Sequence, residues 1–166
     1  YEDVVAGVGA LLGPRAVWTG IPAAETNGHP IFDGAAEVAL GVATIGPRLE
    51  EECEREFRAG DIVRGLLLDA VGTIAVVQVF KTVERIIVDD ALRRGLWPSR
   101  RFSPGYRGWP LEEQRFLFSK VDAAAIGVRL NDSCMMIPRK SSSFRINQYL
   151  DRGLTTRVFP GLPRKN

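Results

Sequence analysis

Ile62-Val63-Arg64-Gly65-Leu66-Leu67-Leu68-Asp69-Ala70-Val71-Gly72-Thr73-Ile74-Ala75-Val76-Val77-Gln78-Val79-Phe80 is the longest apolar run of the chain. Arg64, Asp69 and Gln78 interrupt it, which makes it a poor membrane span. It predicts instead a helix over 62–93, apolar on most sides and therefore the central core element. Gly60-Asp61 ends the preceding helix and caps this one. Gly65 and Gly72 would weaken an isolated helix by about 1 kcal/mol each. Inside a core they permit a neighbour to approach closely.

Upstream of that run, 38–45 is a short apolar stretch without charge and reads as a buried central strand. Gly46-Pro47 breaks it and opens a helix over 48–59, with Glu50, Glu51 and Glu52 near its positive end. Residues 16–21 read as another strand. In 3–12, Val4, Val5, Val8, Leu11 and Leu12 share one helical face. Downstream, Pro110 starts a helix to about Lys120, with Phe116 and Leu117 inward, and 128–130 and 134–137 read as strands around Asn131-Asp132-Ser133. Of Met135 and Met136, strand alternation turns only one toward the core. After about Ile146 the pattern fades, which predicts a domain over 1–146 and an extension or tail over 147–166. Short apolar strands around one long apolar helix predict a single α+β domain, its twisted, mostly antiparallel sheet packed on the 62–93 helix.

The 166 residues, with 45% hydrophobic content, suit one domain with a real core. Net charge is only +2, but it is unevenly spread. From Arg93 onward there are 15 Lys/Arg and 5 Asp/Glu; before it, 7 and 15. The asymmetry suits an anion-binding or partner face, or two halves that neutralise each other across the fold. The basic half lacks interleaved aromatics on a sheet and any recognisable nucleic-acid motif, which argues against a nucleic-acid partner. Cys53 and Cys134 make neither a metal nor a disulfide framework. His29, the only histidine, cannot form a metal site alone. No Ser-His-Asp set, Cys-His pair, P-loop or zinc spacing occurs. No catalytic residue and no metal ligand is therefore assigned. No signal peptide is evident, which predicts a cytoplasmic protein without a membrane partner, and the opening Tyr1 points to an incomplete or processed N-terminus.

The chemistry concentrates in Arg101-Phe102-Ser103-Pro104-Gly105-Tyr106, followed by Arg107-Gly108-Trp109-Pro110. Arg101 offers a planar fork that matches a carboxylate or phosphate. Gly105 lets the backbone turn, or a ligand approach. Tyr106 and Trp109 offer flat faces for a ring. On these residues alone an ordinary turn with exposed arginines and packed aromatics stays open. A second candidate is Arg139-Lys140-Ser141-Ser142-Ser143, a cation pair followed by hydroxyls, suited to a phosphate or a corrinoid side chain. A solvated turn whose serines cap the next element is the other reading of that stretch.

Arg-x-x-x-Gly-Tyr at 101–106 resembles the S-adenosylmethionine-binding motif of the activation domain of cobalamin-dependent methionine synthase. Three more stretches fit the same family in the same order: Ala43-Thr44-Ile45-Gly46-Pro47-Arg48-Leu49-Glu50-Glu51 at its strand-to-helix junction, Leu68-Asp69-Ala70-Val71-Gly72-Thr73-Ile74-Ala75-Val76 in its central helix, and 133–143 as its late strand and Ser-rich turn. The likeness covers roughly 14–146 and is nearest to short, free-standing relatives of that domain. It implies that Arg101 pairs with the methionine carboxylate, while Ser103, Gly105 and Tyr106 hold the nucleoside. It also implies a role in a methyltransferase system of methionine biosynthesis. There the domain would present S-adenosylmethionine to a corrinoid held by a corrinoid-binding or methyltransferase protein, with a flavodoxin-type electron donor. No Asp-x-His-x-x-Gly motif is present, so cobalamin would come only through the partner.

At Val77 the chain departs from the family, which usually places a glutamate there. Asp69 shares that helical face but lies about 12 Å along the axis. The valine predicts weak binding by the isolated chain, and stronger binding after Val77→Glu. A non-catalytic interaction subunit that kept the fold and lost the ligand is the alternative.

Overall fold

The computed structural model describes residues 7–106 and 108–156. Val4 and Val5 of the first expected helix, Arg107 and the tail from Pro160 lie outside them. Strand β1 (Arg15–Pro22) leads into β2 (Glu37–Thr44). Two helices follow: α1 (Arg48–Ala59) and α2 (Ile62–Arg93). After the short β3 (Trp97–Pro98) come a 3-10 turn at Leu111–Glu113 and α3 (Gln114–Lys120), and then β4 (Arg129–Leu130), β5 (Met136–Ile137) and β6 (Ser141–Tyr149). The main sheet has the order β1-β2-β6-β3, every pairing antiparallel, and β4-β5 form a separate ribbon. The α+β architecture expected from the sequence is the one observed.

Each element follows from local chemistry. β2 has almost no polar side chain and is buried along seven of its eight residues, as the strand between β1 and β6 must be. Gly60, in the left-handed conformation, ends α1, and the Asp61 side chain accepts from the Arg64 amide to open α2. The helix spans 32 residues, roughly 48 Å at 1.5 Å per residue. Where α2 crosses α1 the two glycines admit close packing. A Cβ on Gly65 would run into the Phe57 ring, and one on Gly72 would meet Leu49 Cδ2 at 2.7 Å. The three polar interruptions do not disqualify α2 as a membrane span, because length and composition alone would allow one. Here it packs along α1 and the sheet, leaving Ile62, Val63, Leu66 and Ile74 exposed.

The sheet is covered on both faces. Phe80, Val83 and Ile87 of α2 pack on Ala39, Ala43, Phe144 and Ile146. The opposite face, Val38, Leu40 and Val42, carries Phe32, Trp109, Leu117 and Val121. A third cluster joins Val8, Ile45, Leu49, Cys53 and Leu68 under the α1–α2 crossing. Both cysteines are free and buried, and burial pushes the Cys53 thiol pKa up.

Sequence reading missed one whole strand. β6 is buried on both faces although every second residue is polar. Ser143, Arg145 and Asn147 point away from α2, and for Arg145 and Asn147 partners supplied by Ser99 and the 3-10 turn at Pro30–Phe32 replace water. Arg145 Nη1 donates to Ser99 Oγ at 3.2 Å, and Asn147 Nδ2 donates to the Ile31 carbonyl at 2.8 Å. Burial pushes the Arg145 guanidinium down to about 10, so it stays charged at neutral pH. The expected break at 146 falls inside β6, since Asn147, Gln148 and Tyr149 are all buried in the sheet. The strand expected at 134–137 shrinks to Met136–Ile137, because Cys134 has φ 60 and belongs to a turn closed onto Asn131. Met135 is exposed and Met136 packs inward, as alternation requires.

Candidate functional site

β3 pairs only with the last residues of β6, so the 141–147 stretch of β6 presents an edge. The 99–106 segment closes part of it. Phe102 and Arg145 exchange backbone bonds at 3.0 and 2.8 Å, and Ser103 Oγ donates to the Ser143 carbonyl at 2.6 Å. By the alternation of an antiparallel ladder, the backbone groups of Ser141 and Ser143 face the same way as those of Arg145. Between that edge, the turn and α2 lies a groove of ≈ 430 Å³. Val76, Val77 and Phe80 form one wall, Arg101, Ser103 and Tyr106 another, and Ser141 and Ser142 line the strand edge.

Three of the four expected site residues therefore share one groove. Gly105 is not in its wall. With φ 91 and its amide bonded to the Trp109 carbonyl at 2.8 Å, it shapes the turn instead. Trp109, expected to offer a ring face, is fully buried and packs edge-on against Phe32 at 5.9 Å. It anchors the turn to the core. Tyr106 is exposed and leans on Phe102 at 5.8 Å.

Arg101 is held without being used up. Its guanidinium lies 4.0 Å from the Phe80 ring centroid, a cation–π contact, and its Nε is 3.6 Å from Glu84 Oε2. Its Nη1 is buried and has no hydrogen-bond partner. A buried donor left unpaired carries its full desolvation penalty, and more of it on a charged group. Sequence reading overlooked Glu84. The signal was present, because seven residues past Val77 is two helical turns on the same face.

The second expected site comes apart. Arg139 donates through its amide and Nε to Glu50 at 2.8 and 3.0 Å, and that carboxylate raises its pKa. Lys140 Nζ lies 2.9 Å from Asp69 and 2.8 Å from Thr73 Oγ1. Both cations are engaged in tying β6 to α1 and α2, which removes the phosphate or corrinoid role and also Asp69 as a groove acid. The serines that follow are strand residues, two of them in the groove wall. His29 caps the Pro30–Phe32 turn, its Nδ1 accepting from the Ile31 amide at 3.1 Å. Among the described residues no three His, Cys, Asp or Glu side chains converge as a metal site.

The fold and the groove together define an α+β domain with a cationic cleft at a sheet edge. No family model and no curated protein matches the chain. Among solved structures it is similar to a MetH reactivation domain bound to AdoHcy, with a TM-score of 0.58 and 15% identity. The alignment covers 90% of this chain and 64% of that one, so this chain spans under two thirds of its length. At that identity the likeness establishes the fold.

Proposed function

We propose that this chain is an activation-domain-like component of a cobalamin-dependent methyltransferase system, and that its groove holds S-adenosylmethionine. The observation that carries the reading is the buried, unpartnered Nη1 of Arg101 in the same groove as Ser103 and Tyr106. Arg101 takes the ligand's carboxylate, and Glu84 beside it takes the ammonium. Ser103, Tyr106 and the edge of β6 hold the nucleoside. The likeness to a reactivation domain that binds AdoHcy supports the same ligand class.

A corrinoid carried by a partner would supply the methyl-accepting chemistry when bound, with an electron from a flavodoxin-type donor and S-adenosylhomocysteine as the product left in the groove. The residues here do not fit a corrinoid of their own: His29 is a cap, and Arg139 and Lys140 are committed. The chain's work is to bind and orient the sulfonium at an open cleft, and no proton transfer is asked of it. Calorimetric titration with S-adenosylmethionine and S-adenosylhomocysteine tests the reading, with Val77→Glu as a second arm. Val77 is in the groove wall and partly exposed. A carboxylate there should therefore raise affinity several-fold over the weak binding of the unmodified chain. No heat from either ligand, in either protein, favours the second reading, an interaction subunit of a larger assembly. The exposed Ile62, Val63, Leu66 and Ile74 on α2 are the observation in its favour.

A further inference from the structure

The first half of α2 has two opposite faces. Gly65, Leu68, Gly72 and Val76 turn inward and are buried. Val63, Leu66, Ala70, Ile74 and Val77 run along the outer side in steps of three and four residues, which keeps them on one helical face. Val63, Leu66 and Ile74 are 70%, 60% and 61% exposed. No exposed residue from Ile62 to Gln78 is charged. Arg64 and Asp69 are half-buried there and paired with Glu56 and Lys140. An uncharged, apolar strip about 21 Å long marks a contact surface. Its sequence fits one occupant in particular. Around Ala70 the strip reads alike in both directions, with Leu66 and Ile74 four residues away and Val63 and Val77 seven away. Two such helices laid antiparallel about a twofold axis at Ala70 set Leu66 against Ile74 and Val63 against Val77, twice each. The small alanines meet at the centre, where the backbones come closest. The charges agree with that arrangement. The first exposed charges beyond the strip are Asp61 at one end and Lys81 at the other, and the twofold brings unlike ends together.

We infer that the protein self-associates through α2, the strip being covered by the same strip of a second copy. The pairing is independent of what the groove binds. It nevertheless gives the groove a neighbour, because Val77 belongs to both surfaces, and Val63 of the second copy comes to the groove's rim. The strip is small beside the ~800 Å² per partner of a standard interface, so the dimer forms and parts with concentration.

Sedimentation equilibrium of the whole chain should show a reversible monomer–dimer equilibrium. Leu66→Glu should weaken the dimer by roughly tenfold or more, because each copy would bury a charge against Ile74. Leu66 is exposed in the single chain, so thermal unfolding of that variant at monomeric dilution should match the unmodified protein. Cysteine substitution locates the axis. Ala70→Cys should cross-link two copies on mild oxidation, whereas Lys81→Cys should not, because its two copies lie about 33 Å apart in the antiparallel pair. Both native cysteines are buried and stay out of the reaction. A chain that remains monomeric up to its solubility limit overturns the pairing, and so does a dimer that folded Leu66→Glu leaves unchanged. Cross-linking of Lys81→Cys as readily as Ala70→Cys overturns the twofold at Ala70. A monomer that floats with phosphatidylcholine vesicles overturns the pairing in favour of a lipid surface.

Discussion

Arg101→Ala is expected to remove measurable binding of S-adenosylmethionine while leaving the fold intact. A hydrogen bond to a charged group contributes about 1.5–3 kcal/mol, which is roughly ten- to a hundredfold in affinity. The full loss is expected here because the guanidinium is pre-placed. Phe80 stacks on it, Glu84 orients it, and its free donor faces no competitor within the protein. Arg101→Lys should recover only part of the affinity, since an ammonium cannot reproduce a two-pronged contact. The Arg101–Glu84 contact is long and a third exposed, so thermal stability should change little. Titration and thermal unfolding of the same sample decide the matter. Unchanged affinity in a folded Arg101→Ala protein would sink the ligand reading.

Trp109→Ala should have the largest effect on stability, about 3–5 kcal/mol. The side chain is fully enclosed between β2 and α3, against Phe32. Single domains keep only about 5–15 kcal/mol in total, so the variant should be marginal at room temperature. The damage should also reach the groove. The Trp109 carbonyl accepts from Gly105 and its amide donates to the Tyr106 carbonyl, so losing the anchor frees the turn that carries Ser103 and Tyr106. Urea unfolding measures the first effect and ligand titration in the stabilising range the second. A cost below about 1 kcal/mol would mean that the hole collapses and that Trp109 does not hold the turn.

What could be read from the sequence was whatever one residue's neighbours along the chain decide. β2, α1, α2 and their caps came through because uninterrupted apolar runs and Gly-Pro or Gly-Asp breaks are local signals. β6 did not, because Ser143, Arg145 and Asn147 look like a solvent face until Ser99 and the Ile31 carbonyl are known to meet Arg145 and Asn147. The same limit split the second candidate site. Arg139 and Lys140 read as free cations, and only the fold brings up Glu50 and Asp69. Arg101, Ser103 and Tyr106 share one groove because a turn keeps sequence neighbours together in space. Glu84 meets Arg101 from α2, and although it shares the helical face of Val77, only the fold brings that face to Arg101.

Phe80 touches two systems at once. One face takes the Arg101 guanidinium, and the Phe144 ring meets it edge to face at 4.9 Å in the middle of the core. A molecule that fixes Arg101 therefore fixes a ring whose jitter is shared by α2 and β6. Backbone amides in the central turns of α2 and along 142–146 should exchange their hydrogens for deuterium more slowly once the groove is filled, although none of the α2 amides touches the ligand. Amides at the far end of the sheet, in β1 near Pro22, should keep their rates. Mass-spectrometric exchange with and without S-adenosylhomocysteine would show whether the cleft is wired to the core or merely lies on it.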